Sequence, residues 1–117
     1  MKIIDISQEI YQGMPVYPGD PTFQSHRVNS FKQGDMCEVS EVTMGTHCGT
    51  HIDAPTVENM ELCDGEVHAA LLKAGIPLLE GLRLEEADKE NYELSALPIR
   101  LMGENGAPCR AVLIEKE

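Results

Sequence analysis

The segment MGTHCGTHIDAPTV, residues 44 to 57, holds two histidines and an aspartate within seven positions. Two neutral imidazoles and a carboxylate are the donors that suit Zn, Mn or Fe(II), whereas Ca and Mg favour all-oxygen sites. The alternative is a polar glycine-rich turn in which ligand-type side chains occur by chance. The residue types therefore raise metal binding as one of two interpretations.

The spacing of His47, His51 and Asp53 favours one backbone conformation. In a helix the two histidines would share a face, but the aspartate would point elsewhere and the intervening glycines would weaken the helix. In an extended chain, alternate positions project to the same side. We therefore predict an extended or gently coiled segment that presents the three side chains together, with Thr46 and Thr50 as hydrogen-bond partners around them.

Two residues further along the chain could join this group. Glu80 interrupts the apolar run GIPLLEGLRL, where a carboxylate is costly to bury without a partner or a metal. His68 falls on a predicted helix, off its main apolar stripe. Each has an ordinary alternative, since Glu80 could reach solvent at a strand end and His68 could be a surface histidine.

Composition limits the classes of function. The chain has 117 residues, 42% of them hydrophobic, which is a single-domain length with one modest core. A formal net charge of -11 argues against nucleic acid and anionic membrane surfaces as partners. The absence of a long apolar segment makes a cytoplasmic location the expectation. We expect Cys37, Cys63 and Cys109 to be buried apolar residues, and leave Cys48 open.

The hydrophobic pattern predicts mostly strands. Strands are expected in KIIDISQEI, FQSHRVNSF, CEVSEVTM and IPLLEGLRL, and the proline-rich QGMPVYPGDPTF is expected to be a loop. A helix is predicted from about Glu66 to Ala74, capped by Asp64. Its apolar stripe would consist of Val67, Ala70, Leu71 and Ala74. The final two strands flank GENG, which predicts a C-terminal β-hairpin.

Three segments resemble one known family. HCGTHIDAP closely resembles the HxGTHxDxP motif of the cyclase family that contains the bacterial kynurenine formamidases. MPVYPGDPTF is similar to that family's P-x-W-P-G-D-P segment, with Tyr17 where tryptophan is common. The stretch that begins VHAALLKAGIPLLEGLRL is similar to the family's ending, in which a histidine and a glutamate have the separation of His68 and Glu80. The resemblance implies a single shortened cyclase-like domain over residues 1–117. Its fold class would be mixed α/β, a β-rich β/β/α-type layered domain with one main helix and the C-terminal hairpin.

The resemblance also implies a site and a chemistry. The family holds one or two divalent metals, usually zinc and sometimes manganese, and matching its motif onto this sequence gives the ligands His47, His51, Asp53, His68 and Glu80. Such enzymes hydrolyse a small amide, formamide or lactone with metal-activated water. The family's proline-rich loop borders the substrate pocket, which makes Tyr17 an expected substrate contact; the alternative is a rigid turn.

The sequence departs from the family after Pro55. The family continues with x-H-F, whose histidine is the expected proton shuttle, whereas Thr56 and Val57 stand here. Glu58 or Glu61 could replace it, although their spacing does not favour either. Members are much longer, so the central segment of the fold is missing and the catalytic acid or base stays unknown. We expect the exposed strand edges to make the protein a homo-oligomer. Three alternatives remain: a hydrolase, a metal-binding or oligomeric member without catalysis, and an inactive remnant.

Overall fold

The computed structural model describes residues 1–55 and 65–116. The described part contains seven strands, one α-helix and one 3-10 helix. In chain order these elements are β1 (Lys2–Asp5), β2 (Gln24–Asn29), the 3-10 helix (Phe31–Gln33), β3 (Val39–Thr43), β4 (His51–Asp53), α1 (Glu66–Lys73), β5 (Leu78–Glu80), β6 (Glu93–Pro98) and β7 (Gly106–Glu115). None of the described helices is long and apolar enough to cross a membrane.

Five strands form one antiparallel sheet around the long strand β7. The first residues of β7 pair with β4, which pairs in turn with β5. The later residues of β7 pair with β1 on one side and with β6 on the other. This architecture confirms the prediction of a β-rich fold with one main helix.

The C-terminal hairpin is present, but its turn is longer than predicted. Strands β6 and β7 pair from Glu93 opposite Ile114 to Pro98 opposite Cys109. GENG was expected to form the turn, yet its last residue, Gly106, already belongs to β7. The chain turns over residues 99–105 instead, where the N–H of Leu101 donates to the carbonyl of Ile99.

The core lies where β1 and its extension pack on β7. Its buried members are Ile4, Ile6, Cys109 and Ala111, and the half-buried Ile52 of β4 packs against them. The small side chains of Cys109 and Ala111 on β7 leave room for the two isoleucines. The expected burial of cysteines is confirmed for Cys109 and wrong for Cys37, which is exposed on a loop; Cys63 lies outside the described residues.

Strands β2 and β3 confirm two strands that the sequence predicted, and they form a separate two-stranded sheet that it did not predict. We call residues 24–43, which include both strands and the 3-10 helix between them, the arm. The two strands pair antiparallel and belong to a different sheet from the other five. All their residues are exposed except Asn29, which is half-buried. The arm therefore adds little to the core.

Helix α1 has the predicted length but turns a different face inward. Its buried residue is Leu72, at 2% exposure, whereas Val67 of the predicted stripe is exposed. His68 is half-buried and lies one helical turn before Leu72. The predicted stripe is wrong because the helix packs through this other face. The expected cap Asp64 lies outside the described residues, and the helix begins after Gly65.

Candidate metal centre

Strand β4 places two of the predicted ligands on one side of the sheet. His51 and Asp53 are buried and alternate with Ile52, which contacts the apolar core on the opposite side. Neighbouring strands complete the surroundings, since His51 lies opposite Glu80 of β5 and opposite Pro108 of β7. The two-residue period of a strand therefore separates the polar cluster from the core.

His47 reaches the same side by a turn. Of the segment predicted to be extended or gently coiled, residues 51–53 form a strand, whereas residues 46–50 form a turn and bends. The N–H of Cys48 donates to the carbonyl of Gly45, and Gly49 has a φ of 62°, which bends the chain back. His47 Nδ1 then lies 2.7 Å from Asp53 Oδ1.

The ring of His51 has a defined orientation. Its Nδ1 lies 2.8 Å from the carbonyl oxygen of Gly49, and a carbonyl can only accept, so Nδ1 carries the hydrogen. Nε2 faces two carboxylates, at 3.1 Å from Glu80 Oε2 and 3.2 Å from Asp53 Oδ1. In the neutral ring this nitrogen presents a lone pair to two anionic acceptors. Such an arrangement requires either a proton or a cation between them.

His68 and Glu80 complete the cluster. His68 Nε2 lies 2.5 Å from Glu80 Oε1 and 3.6 Å from Asp53 Oδ2. The inward face of α1 directs the histidine here, and the end of β5 directs the glutamate. The structure thus brings together all five residues that the sequence and the resemblance selected.

Hydrogen bonds within the cluster shift the pKa values of His51 and Asp53. Burial alone would lower the pKa of His51, but hydrogen bonds to Asp53 and to the Gly49 carbonyl raise it above its ordinary value. Burial alone would raise the pKa of Asp53, but hydrogen bonds from His51 and His47 lower it. Both shifts favour a positive charge held against a buried carboxylate.

The donor atoms form two overlapping groups that could hold a cation. In each group the ligand atoms lie within 4.8 Å of one another: one consists of His47, His51 and Asp53, the other of Asp53, His68 and Glu80. Asp53 belongs to both groups. The mixed nitrogen and oxygen donors, together with the lone pair of His51 that faces two carboxylates, fit a divalent transition metal.

The surrounding residues fix the backbone of the cluster, and sequence reasoning did not assign these roles. Thr50 Oγ1 donates to the carbonyl of Gly81 and accepts the N–H of Gln8, and Thr46 Oγ1 donates to Asn105 Oδ1. The predicted threonines therefore hold neighbouring segments and do not bond the ligands themselves.

Gly106 was missed as a site residue. A Cβ at this position would lie 2.7 Å from Cε1 of His47 and 3.0 Å from its Nδ1, so the ring occupies space that another side chain would need. Its place in GENG signalled only a turn. Its close packing with the cluster could not be read from the local sequence.

The described contacts of Tyr17 do not include any residue of the cluster. Its side chain is 77% exposed, and its carbonyl accepts the N–H of Asp20 within the proline-rich loop. Its role as a substrate contact stays a prediction. Glu58 and Glu61, which were considered for the acid or base role, lie outside the described part of the chain, as do Thr56 and Val57, which stand where the family has its histidine.

Comparison with known proteins identifies relatives by sequence and by fold. A kynurenine formamidase of Salinibacter ruber is 48% identical over 61 residues, which are 52% of this chain and 29% of that protein. A kynurenine formamidase of Erythrobacter litoralis is 24% identical over 203 residues, with 97% of this chain and 94% of that protein covered. A solved structure described as a predicted metal-dependent hydrolase from Bacillus stearothermophilus has the same fold, with a TM-score of 0.76 and 20% sequence identity. The superposition covers 96% of this chain and 97% of that chain.

The alignments also show that this chain lacks parts of its relatives. The Erythrobacter alignment extends over 203 residues, more than the 117 of this chain, so it passes over stretches with no counterpart here. The Salinibacter match spans less than a third of that protein. The family model described as Putative cyclase matches residues 4–96, which include all five residues of the cluster. The chain therefore belongs to the Putative cyclase family.

Proposed function

We propose that this protein is a metal-dependent hydrolase of a small amide, formamide or lactone, similar to an arylformamidase. The observation that carries the proposal is the orientation of His51. Its Nδ1 hydrogen is committed to the Gly49 carbonyl, so its Nε2 lone pair is directed at the position that Asp53 and Glu80 also face. The kynurenine formamidases among the relatives support the amide and formamide substrate class.

The residues His47, His51, Asp53, His68 and Glu80 would hold the metal. Zinc is the expected ion and manganese the second choice, because imidazole and carboxylate donors suit both. Asp53 belongs to both groups of donors and would be shared if two ions bind. When bound, a divalent ion supplies Lewis acidity that activates a water molecule and polarises a carbonyl group.

In this proposal the buried side chains of the cluster have a different role from the more exposed ones. Burial of Asp53 and His51 excludes bulk water from one side of the cluster and strengthens the interaction of their charges. His47, His68 and Glu80 are more exposed and form the open side, where a substrate carbonyl could approach. Among residues 1–55 and 65–116, we assign no general acid or base outside these five residues.

A second candidate is a metal-binding or oligomeric family member without catalysis. The observation that favours it is the sequence after Pro55, where Thr56 and Val57 stand in place of the histidine expected from the resemblance. The gap in the alignment with the Erythrobacter relative also points to lost pocket residues. This candidate keeps the metal cluster and predicts no turnover.

Metal content and hydrolysis, measured on one preparation, separate these candidates. We expect zinc to copurify by elemental analysis, and N-formylkynurenine or simple aryl formamides to be hydrolysed. His51→Ala should lose both, whereas the matched variant His26→Ala, on the exposed arm, should keep both. Zinc without turnover would support the second candidate. No metal under zinc-replete conditions, or turnover after complete metal removal, would contradict the proposed mechanism.

We also propose that residues 1–117 form one shortened cyclase-like domain and that this domain is a homo-oligomer. The exposed strands of the arm and the open edge of β6 support the oligomer. A cytoplasmic location stays a prediction from the sequence.

A further inference from the structure

Thr50 connects three parts of the chain beside the cluster. It lies immediately before β4 and is buried, at 2% exposure. Its Oγ1 donates to the carbonyl oxygen of Gly81 at 2.7 Å and accepts the N–H of Gln8 at 2.9 Å. Its own carbonyl accepts the N–H of Cys109 on β7. One residue therefore joins the N-terminal loop, the chain after β5 and the long central strand.

The hydroxyl bond of Thr50 lies where the pairing of β4 with β5 ends. The last pair of these two strands is His51 opposite Glu80, and the next positions along the chain are Thr50 and Gly81. Beyond the last backbone pair, the Thr50 side chain continues the connection through its bond to the Gly81 carbonyl. His51 and Glu80 are each one residue away from this bond, so it holds together the two strand ends that carry them.

The backbone of Gly81 also lies against the carbonyl that orients His51. Gly81 has a φ of 71°, and a Cβ there would lie 2.5 Å from the carbonyl oxygen of Gly49. The same oxygen lies 2.8 Å from Nδ1 of His51. Because the two backbones are in direct contact, the position of the Gly49 carbonyl depends on the position of Gly81. The bond from the Thr50 hydroxyl keeps Gly81 in this contact.

We propose that Thr50 is a positioning residue of the cluster. Its hydroxyl holds the Gly49 carbonyl and the Glu80 side chain in the relative position that directs Nε2 of His51 at Glu80. Thr50 acts through the backbone of Gly49 and Gly81, and it donates to none of the five cluster residues. The inference rests on the proposed function, because it concerns the same cluster, but part of its test needs no metal.

Ser7 provides a matched control for a purely structural role. Its Oγ donates to the carbonyl of Ala111 at 3.0 Å and accepts the N–H of Ala111 at 2.8 Å. The half-buried Ser7 thus also bridges backbone groups with one hydroxyl, and its described contacts include no residue of the cluster. Ser7→Ala removes the same two kinds of hydrogen bond as Thr50→Val, so both should lower stability. Only Thr50→Val should disturb His51.

Nitrogen-15 NMR of the metal-free protein observes the His51 ring directly. In wild type, the hydrogen on Nδ1 should give a slowly exchanging ring N–H signal, assigned by its loss in His51→Gln. We expect the signal to persist in Thr50→Ser, which keeps the hydroxyl, and in Ser7→Ala, and to disappear in Thr50→Val. The proposal is overturned if wild type lacks the signal, if Thr50→Val keeps it, or if Thr50→Ser or Ser7→Ala loses it. A Thr50→Val chain that is unfolded by circular dichroism would make the role structural and would also overturn it.

Zinc affinity, measured by competition with a chromophoric chelator, gives a second readout. Loss of groups that orient metal ligands typically lowers affinity about 10- to 100-fold, and we expect a loss in this range for Thr50→Val. Thr50→Ser and Ser7→Ala should stay close to wild type. Equal affinities for Thr50→Val and wild type would overturn the inference. A wild type that binds no zinc would contradict the proposed function instead, and the ring signal of the metal-free protein would still decide the role of Thr50.

Discussion

At the scale of residues, the Gly49 carbonyl decides how His51 can act. It accepts the hydrogen of Nδ1 and thereby commits Nε2 to the side of Asp53 and Glu80. Side-chain identity and spacing selected His47, His51 and Asp53 from the sequence and raised His68 and Glu80 as possible additions. The resemblance then implied all five as metal ligands. The tautomer could not be predicted, since it depends on a turn whose left-handed Gly49 brings its own carbonyl under the ring.

Gly106 should control metal affinity through the position of His47. In Gly106→Ala the new Cβ would lie 2.7 Å from the ring of His47, so the ring has to leave its present position beside Asp53. Changes in groups that orient ligands typically lower metal affinity about 10- to 100-fold, and we expect a loss in this range. Competition with a chromophoric zinc chelator measures it.

The control for this prediction is Gly45→Ala. A Cβ there would meet Pro21 at 3.5 Å, an ordinary contact, and the φ of Gly45 is not in the left-handed region. Its zinc affinity should stay close to wild type. Equal affinities for all three proteins would contradict the role given to Gly106.

At the scale of elements, the inward face of α1 links the core to the cluster. Leu72 is buried and His68, one turn earlier, reaches Glu80. The helix boundaries could be predicted from composition, but its orientation could not, because the weakly amphipathic sequence offers apolar residues on two faces. Packing against the end of β5 decides between them.

Substitutions on the two faces of α1 test this orientation. Leu72→Ala removes a fully buried side chain and should lower the free energy of unfolding by about 2–5 kcal/mol. Val67→Ala, at a position that is 69% exposed, should change it by less than about 0.5 kcal/mol. Urea denaturation followed by circular dichroism compares the two. A larger effect at Val67 would restore the stripe predicted from the sequence.

Strands β1 and β7 are also joined by an exposed ion pair between Asp5 and Arg110. The Arg110 side chain and the N–H of Ser7 lower the pKa of Asp5 from 3.8 to about 2. A lowered pKa means that this carboxylate stabilises the fold above pH 3.8 and loses that effect as the pH falls toward 2. Asp5→Asn should therefore show a weaker loss of stability than wild type over this interval.

Urea denaturation at pH 5 and pH 2.5 measures the difference. Arg110→Gln removes the same partner from the other side, so it should reduce the acid-dependent loss as Asp5→Asn does, and the double variant should add little. Identical acid sensitivity in wild type and Asp5→Asn would contradict the contribution of this pair.

At the scale of the whole molecule, the strands, the C-terminal hairpin and the family could be predicted from the sequence. Alternation of apolar and polar residues predicts β1, and the turn residues of GENG predict the hairpin that contains β7. The separation of the arm from the main sheet could not be predicted, because strand pairing depends on contacts far apart in sequence. For the same reason the longer turn before Gly106 had no local signal.

Zinc should stabilise the whole fold, because the cluster joins β4, β5, α1 and the turn before β4. At a zinc concentration 100 times the Kd, binding contributes about 2.7 kcal/mol. For a chain of this size that corresponds to a Tm increase of roughly 10 °C, reversed by a chelator. Asp53→Asn, which removes the residue shared by both donor groups, should show no increase. A wild-type Tm that does not respond to zinc would contradict the prediction.

The alternation of His51, Ile52 and Asp53 constrains how this short strand can change in evolution. The neighbours of Ile52 are apolar, and those of the other two are charged. Inserting or deleting one residue in β4 would exchange the two faces, so that a carboxylate would enter the core and an isoleucine would enter the cluster. Each of these two changes would destabilise the protein, and neither would compensate for the other. We therefore expect a length change at these three positions to destabilise the fold, although this chain lacks whole stretches of its relatives elsewhere.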